Sequence, residues 1–166
     1  MSSRRLFVLA LALALAACGF RLRGSAGVPF ETLYIPQSKS GIGLELKRNI
    51  EANTSAKVID DPRKAQALLA IAQEARAKTI LSLTGAGRVN EYKLTYTINF
   101  RVHDGKGGDY VPPSLIELQR EMTYSDALIL AKEAEEQLLF RDMQSDMVQQ
   151  VLRRLASAEK PKPKVQ

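Results

Sequence analysis

The chain has one cysteine, one histidine and no tryptophan, and only 6% of its residues are aromatic. One thiol excludes a disulfide within the chain, and one histidine without a second thiol leaves no zinc-ligand set. The fold must therefore be held by packing alone. No run of ~20 apolar residues occurs, so nothing reads as a transmembrane helix. Catalytic signatures are missing too: there is no phosphate-cradling glycine loop ending in Lys-Ser/Thr, no H-E-x-x-H helix and no serine nucleophile elbow. Gly41-Ile42-Gly43 and Gly85-Ala86-Gly87 lack the downstream glycine of a dinucleotide loop. The acid pairs Asp60-Asp61 and Glu135-Glu136 fall in a turn and on a charged helix face, where solvation is their role rather than acid–base chemistry. His103 stands at a strand end beside a glycine turn and reads as a surface residue. The reading is non-enzymatic, with no catalytic residue and no metal.

What the chain does have begins at its N-terminus. Arg4 and Arg5 precede twelve apolar residues, Leu6 to Ala17, which form the charged and apolar regions of an export signal. Leu15-Ala16-Ala17-Cys18 resembles a bacterial lipoprotein lipobox. The resemblance implies cleavage before Cys18, a diacylglycerol thioether on its sulfur and a third acyl chain on the new N-terminus. One acyl chain holds a protein weakly, at about 0.8 kcal/mol per buried methylene, so three should hold it firmly. That covalent lipid is the only prosthetic group expected. Gly19 follows where lipoproteins retained in the inner membrane carry Asp, which argues for delivery to the outer membrane.

The formal charge of +6 overstates the basicity of the folded part. Arg4 and Arg5 leave with residues 1–17, giving +4, and the tail from Glu159 onward holds three lysines against one glutamate, leaving +2. So near-balanced a domain lacks the electrostatic footprint of a nucleic-acid binder. The expected organisation is a signal at 1–17, an acylated tether at 18–30, a single α/β domain at 31–156 and a disordered basic tail at 157–166.

Along the domain, Thr32 to Ile35 is a short β-type run stopped by Pro36. Ile42, Leu46 and Ile50, joined by Leu44, give the stripe of a three-turn helix ending near Asn53. Val58-Ile59 is a brief extended piece. Ala65 to Leu83 is ambiguous: its composition favours helix, yet odd-numbered Ala67, Leu69, Ile71, Ala75 and Leu81 alternate with polar residues as in a strand. From Glu91 to Val102 the alternation is faultless, with Tyr92, Leu94, Tyr96, Ile98, Phe100 and Val102 opposite Glu91, Lys93, Thr95, Thr97, Asn99 and Arg101. This is a long half-buried strand, about 40 Å at 3.3 Å per residue, and one-sided burial points to an antiparallel sheet. Asp104 to Gly108 turns the chain, and Pro112-Pro113 closes that loop. Ile116, Leu118, Met122 and Tyr124 line a returning strand whose apolar side is broken by Arg120, a residue that needs a carboxylate partner if buried. With Ser125 or Asp126 as N-cap, Leu139, Met143, Met147, Val151 and Leu155 mark a helix of about 46 Å from Asp126 to Ala156 that can lie along the sheet.

Several strings, in order, resemble one family. Cys18-Gly19-Phe20-Arg21-Leu22-Arg23-Gly24 is similar to the start of mature LptE-family lipoproteins, which assemble lipopolysaccharide (LPS) in Gram-negative outer membranes. Leu81-Ser82-Leu83 with Arg88-Val89-Asn90-Glu91-Tyr92-Lys93-Leu94 resembles the family's strand-turn-strand segment. Arg120, Tyr124, Leu130 to Glu136, Arg141-Asp142-Met143 and Arg153-Arg154-Leu155 resemble its C-terminal region. The resemblance implies a two-layer α+β sandwich, two helices on one face of a mainly antiparallel, roughly four-stranded sheet, with Ala65 to Leu83 mostly strand. It implies an outer-membrane lipoprotein on the periplasmic side, plugging the LptD β-barrel and helping LPS reach the outer leaflet. LPS carries phosphates, and Arg88, Lys93, Arg101 and Arg120 are candidate contacts by charge and position. The alternatives are an auxiliary lipoprotein of another envelope lipid-transport system of ABC type, and a lipid-tethered hydrolase drawing on Ser82, Ser114 or His103.

Replacing Cys18 with Ser should release the protein from the membrane fraction while leaving its folded domain unchanged by circular dichroism. Membrane binding as firm as before would overturn the lipobox reading.

Overall fold

The computed structural model describes residues 27–161. Cys18, the signal and the tail lysines Lys162 and Lys164 lie outside the described residues. The elements run β1 (Thr32–Tyr34), α1 (Gly41–Asn53), β2 (Lys57–Ile59), β3 (Ala67–Leu83), β4 (Val89–His103), β5 (Asp109–Thr123), a 3-10 turn (Asp126–Leu128) and α2 (Ile129–Ala156). The sheet has five strands in the order β2-β1-β3-β4-β5. β1 lies parallel to β2 and β3, whereas β3, β4 and β5 form an antiparallel meander. The α+β sandwich is as expected, with one strand more, because Lys57–Ile59 returns from α1 to pair with β1.

β4 sets the two faces. Leu94, Tyr96, Ile98, Phe100 and Val102 are all at most 1% exposed. They meet Met143, Met147, Val148, Val151 and Leu155 of α2 and Ile42, Leu46 and Ile50 of α1 in one core. Lys93, Thr95, Thr97, Asn99 and Arg101 point the other way, where no helix of the described residues lies. Gly43 is where α1 approaches the chain before it: a Cβ there would stand 2.6 Å from the Gln37 carbonyl oxygen.

The ambiguous segment is a strand, and it carries a bulge. Ile71 pairs with Phe100 and Gln73 with Asn99, so Ala72 is an extra residue in β3. One inserted residue exchanges the faces of everything beyond it. Ala67, Leu69 and Ile71 therefore face the helices, but Glu74, Arg76 and Lys78 do too, opposite Ile98, Tyr96 and Leu94. Odd-numbered Ala75 and Leu81 do not continue the buried row begun at Ala67, contrary to the simple alternation.

Two other expectations are corrected. Pro112-Pro113 does not close the loop but lies inside β5. β5 is the sheet's outer strand, and its register shifts between Phe100 and Val102, so neither missing N–H interrupts a regular ladder. Neither Ser125 nor Asp126 caps α2 through its side chain; a 3-10 turn comes first, and the helix begins at Ile129.

Met147 is fully buried between the layers. Met147→Ala should cost about 3 kcal/mol in urea unfolding, through lost transfer energy and the cavity left behind. A loss under about 1 kcal/mol would show that α2 does not pack as described.

Candidate functional site

Beyond the Ala72 bulge the space under α2 changes character. Up to Ile71 it is dry; from Glu74 onward it is filled by long polar side chains and aromatic rings. The Tyr96 hydroxyl donates to Glu74 Oε1 at 2.6 Å. Arg76 Nη2 donates to Gln144 Oε1 at 2.7 Å, and Gln144 Nε2 donates on to Glu45 Oε2 at 2.8 Å, so one relay joins β3, α2 and α1. The Arg76 guanidinium sits 4.8 Å from the Tyr96 ring centre, and the Lys78 ammonium sits 4.3 Å from that of Tyr92 while pairing with Glu136. Tyr92 and Tyr124 meet edge to face at 5.1 Å.

This polar half leads to one end of the molecule. The β3–β4 turn at Thr84 to Arg88 forms its tip, and the start of α2 comes to the same end: Tyr124 N–H donates to Asn90 O, and Lys132 Nζ to Thr123 Oγ1. Among the described residues, the exposed large hydrophobic side chains are Ile80, Leu81, Leu83, Leu115, Leu128, Ile129, Leu130 and Leu138. All but Leu115 and Leu138 belong to the two segments at this end. Leu130 alone is 77% exposed. Apolar side chains gathered on a surface with charged neighbours mark an interaction site. Sequence reasoning passed over it, although the unbroken pair Ile80-Leu81 and triplet Leu128-Ile129-Leu130 fit neither a strand's nor a helix's one-sided pattern.

The four arginine and lysine candidates do not converge. Arg88 lies exposed in the tip turn, beside the apolar residues. Lys93 is half-buried on the open sheet face near that end. Arg101 is on the same face, eight residues further along β4 and thus about 26 Å away. Arg120 lies on the helix side of β5, where its Nη2 meets Asp146 Oδ2 of α2 at 2.7 Å, supplying the carboxylate its position calls for. Glu135 and Glu136 pair with Lys132 and Lys78 rather than with each other. Ser82 donates to Glu91, Ser114 to the Pro112 carbonyl, and His103 Nδ1 accepts from Gly105 N–H. A groove at the opposite end is lined by Arg63, Gln66, Asp104, Lys106, Tyr110 and Pro161. Its charges are engaged locally: Asp61 pairs with Arg63, and the Asp104 carboxylate takes the N–H groups of Lys106 and Gly108, which hold its pKa below the usual value.

Fold and surface together define a two-layer α+β module with an uncovered polar sheet face and an apolar end, built for contact with partners. The chain belongs to the LptE family, whose description is lipopolysaccharide assembly and which matches residues 28–155. The LPS-assembly lipoprotein LptE of Pectobacterium atrosepticum is 27% identical over 158 residues, covering 91% of this chain and 85% of that protein. Its namesake in Yersinia enterocolitica is 30% identical over 162 residues, covering 91% and 75%. The solution structure of lipoprotein B from Nitrosomonas europaea, 40% identical, superposes with a TM-score of 0.72 over 84% of this chain and 91% of that one. The role of the chain is therefore that of a lipoprotein in LPS assembly.

The polar half has a signature in pH. Burial, then the bond to Glu74, pushes the Tyr96 hydroxyl well above the ordinary tyrosine value of 10. The hydrogen bond to Glu136 raises Lys78 above 10.5. In both cases the folded state keeps its proton longer than the unfolded chain, so stability falls as pH rises above about 10. Urea midpoints from about pH 8 to 11 should fall less steeply for Tyr96→Phe with Lys78→Met than for the native chain. An unchanged slope would mean these groups do not carry the alkaline loss.

Proposed function

We propose that the chain is a periplasm-facing, outer-membrane lipoprotein, anchored by acylated Cys18, that seats as a plug inside an LptD-type β-barrel. There it helps the barrel deliver LPS to the outer leaflet and binds LPS at its apolar end. The observation that carries the reading is the uncovered face of β3, β4 and β5. Lys93, Thr95, Thr97 and Asn99 of β4 stand beside Glu117, Gln119, Glu121 and Thr123 of β5, across a surface that no helix of the described residues covers. The lumen of a transmembrane barrel is polar, so its occupant needs hydrogen-bonding side chains rather than an apolar face. Size agrees as well. Five strands at ~4.8 Å spacing place the outer strand axes about 19 Å apart before side chains are added, which calls for one of the large barrels that hold plugs.

LPS is amphiphilic, with phosphates at the junction of sugar and acyl chains. The end of the molecule offers both complements: Ile80, Leu81, Leu83 and Leu128 to Leu130 for acyl chains, and Arg88, with Lys93 nearby, for phosphate. Arg101, far from that end, and Arg120, engaged by Asp146, are weaker contacts on this reading.

Purification of the tagged native chain in mild detergent should bring down a large β-barrel. Recovery with an inner-membrane ATPase complex would favour the alternative, an auxiliary lipoprotein of another lipid-transport system. For the end itself, Leu81→Asp with Leu130→Asp should lower binding to purified LPS at least tenfold, with thermal unfolding unchanged because both side chains are exposed. Binding equal to the native chain's would remove LPS from this end.

A further inference from the structure

β5 is the outer strand of the sheet, and a strand in that position presents unpaired N–H and C=O groups to any other strand. Backbone groups point to alternate sides along a strand, so only every second residue of β5 faces outward. Tyr124 N–H donates to Asn90 O of the neighbouring chain segment, one step beyond the pair Glu91–Thr123, so even-numbered residues face β4. The outward set is Pro113, Leu115, Glu117, Gln119, Glu121 and Thr123.

Three of these positions are closed. Pro113 has no N–H to offer. The Leu115 carbonyl accepts from Arg154 Nη2 of α2 at 3.1 Å. The Gln119 carbonyl accepts from Arg120 Nη1, also at 3.1 Å, while the other arm of that guanidinium is held by Asp146. Arg120 is thus fixed from two directions, and Arg154 arrives from the helix that covers the sheet. Guanidinium groups suit this task because they donate and never accept, so a capped carbonyl cannot be turned into a new ladder partner.

We propose that Arg120 and Arg154 guard the edge of the sheet, keeping β5 from pairing with β5 of a second copy of this chain. A second copy is the fitting intruder because two identical edges meet in antiparallel fashion about a two-fold axis, each serving as the other's ladder. Exposed Leu115 lies on that edge and would be covered by the pairing. The arginines thereby keep the molecule a single unit, whatever it later docks against.

The test is the oligomeric state of the detergent-solubilised full chain by size-exclusion chromatography with light scattering. The native chain should be a monomer. R120M/R154M keeps the aliphatic stems and removes the donors; it should double in protein mass with rising concentration, and R120A/R154A should do the same. Hydrogen exchange locates the contact: the amides of Leu115, Glu117, Gln119 and Glu121 should gain at least tenfold protection in the dimer. A dimeric native chain would overturn the proposal. So would folded variants that stay monomeric, or a dimer in which these amides gain no protection.

Discussion

A long strand that is apolar on one side and polar on the other needs a cover of matching length, and the rest of this structure depends on how β4 obtains one. Its 15 residues extend about 50 Å at 3.3 Å per residue. α2, with 28 residues, reaches about 42 Å at 1.5 Å per residue and runs along nearly all of it. α1, with 13 residues, reaches only about 20 Å. The layers are therefore two helices thick at one end of the sheet and one helix thick at the other. The core residues of α2 follow that division: Met143, Met147, Val148, Val151 and Leu155 are buried, whereas its first turns hold no buried residue.

Ala72 lies where the two regimes meet. A β3 without the bulge would aim Gln73, Ala75, Ala77 and Thr79 at α2 and leave Glu74, Arg76 and Lys78 on the open side. Short side chains cannot bridge to a single helix, and a gap there would forfeit contact on every side. The extra residue instead delivers side chains long enough to span it: Arg76 to Gln144, Lys78 to Glu136, Tyr96 to Glu74. These links are partly exposed, so each contributes little by itself. Together with the rings of Tyr92, Tyr96, Tyr124 and Phe140, they hold α2 over the sheet where dry packing has ended.

The sequence made some of this visible and hid the rest for identifiable reasons. β4 was legible because six residues against six fit a period of two and no other. The C-terminal stripe of α2 was legible because Met143, Met147, Val151 and Leu155 repeat at four. β3 was not, since its alanines, glutamates and lysines suit a helix while its alternation suits a strand. Its bulge was further hidden because odd-numbered apolar residues continue on both sides of Ala72, as if the face were unchanged. Pro112-Pro113 reads as a loop because an inner strand could not hold it; that β5 is an outer strand is a property of the sheet, not of the local string. Arg120 was legible as a misfit in an apolar row, and the carboxylate it called for is Asp146, which lies in α2. Of the candidate contacts, charge and strand position picked out cations one by one, but only the pairing of β3 with β4 and the return of α2 show which of them share an end with exposed Leu81 and Leu130.

Three parts of the surface remain incomplete in the isolated domain, and they differ in what exposure costs. The open sheet face is polar and hydrates readily; threonines, glutamates and lysines there are as content in water as against a polar wall. The β5 edge has backbone groups that water satisfies, and arginines close the carbonyls most available to a strand. The apolar end is different. At about 25 cal/mol per Å2, side chains such as Leu130 and Ile80 left in water forgo about 1.5–3 kcal/mol each that burial would return. Nothing in the packing forces them outward, since the first turns of α2 could carry polar residues at no cost to the core. A domain that keeps its edge closed and its broad face wet, yet leaves its largest unrealised burial at one tip, is organised around what that tip meets. The thinning of the sandwich toward the same tip follows from this: the end that must accept a partner is the end where the layers hold each other by adjustable polar arms rather than by an interlocked core.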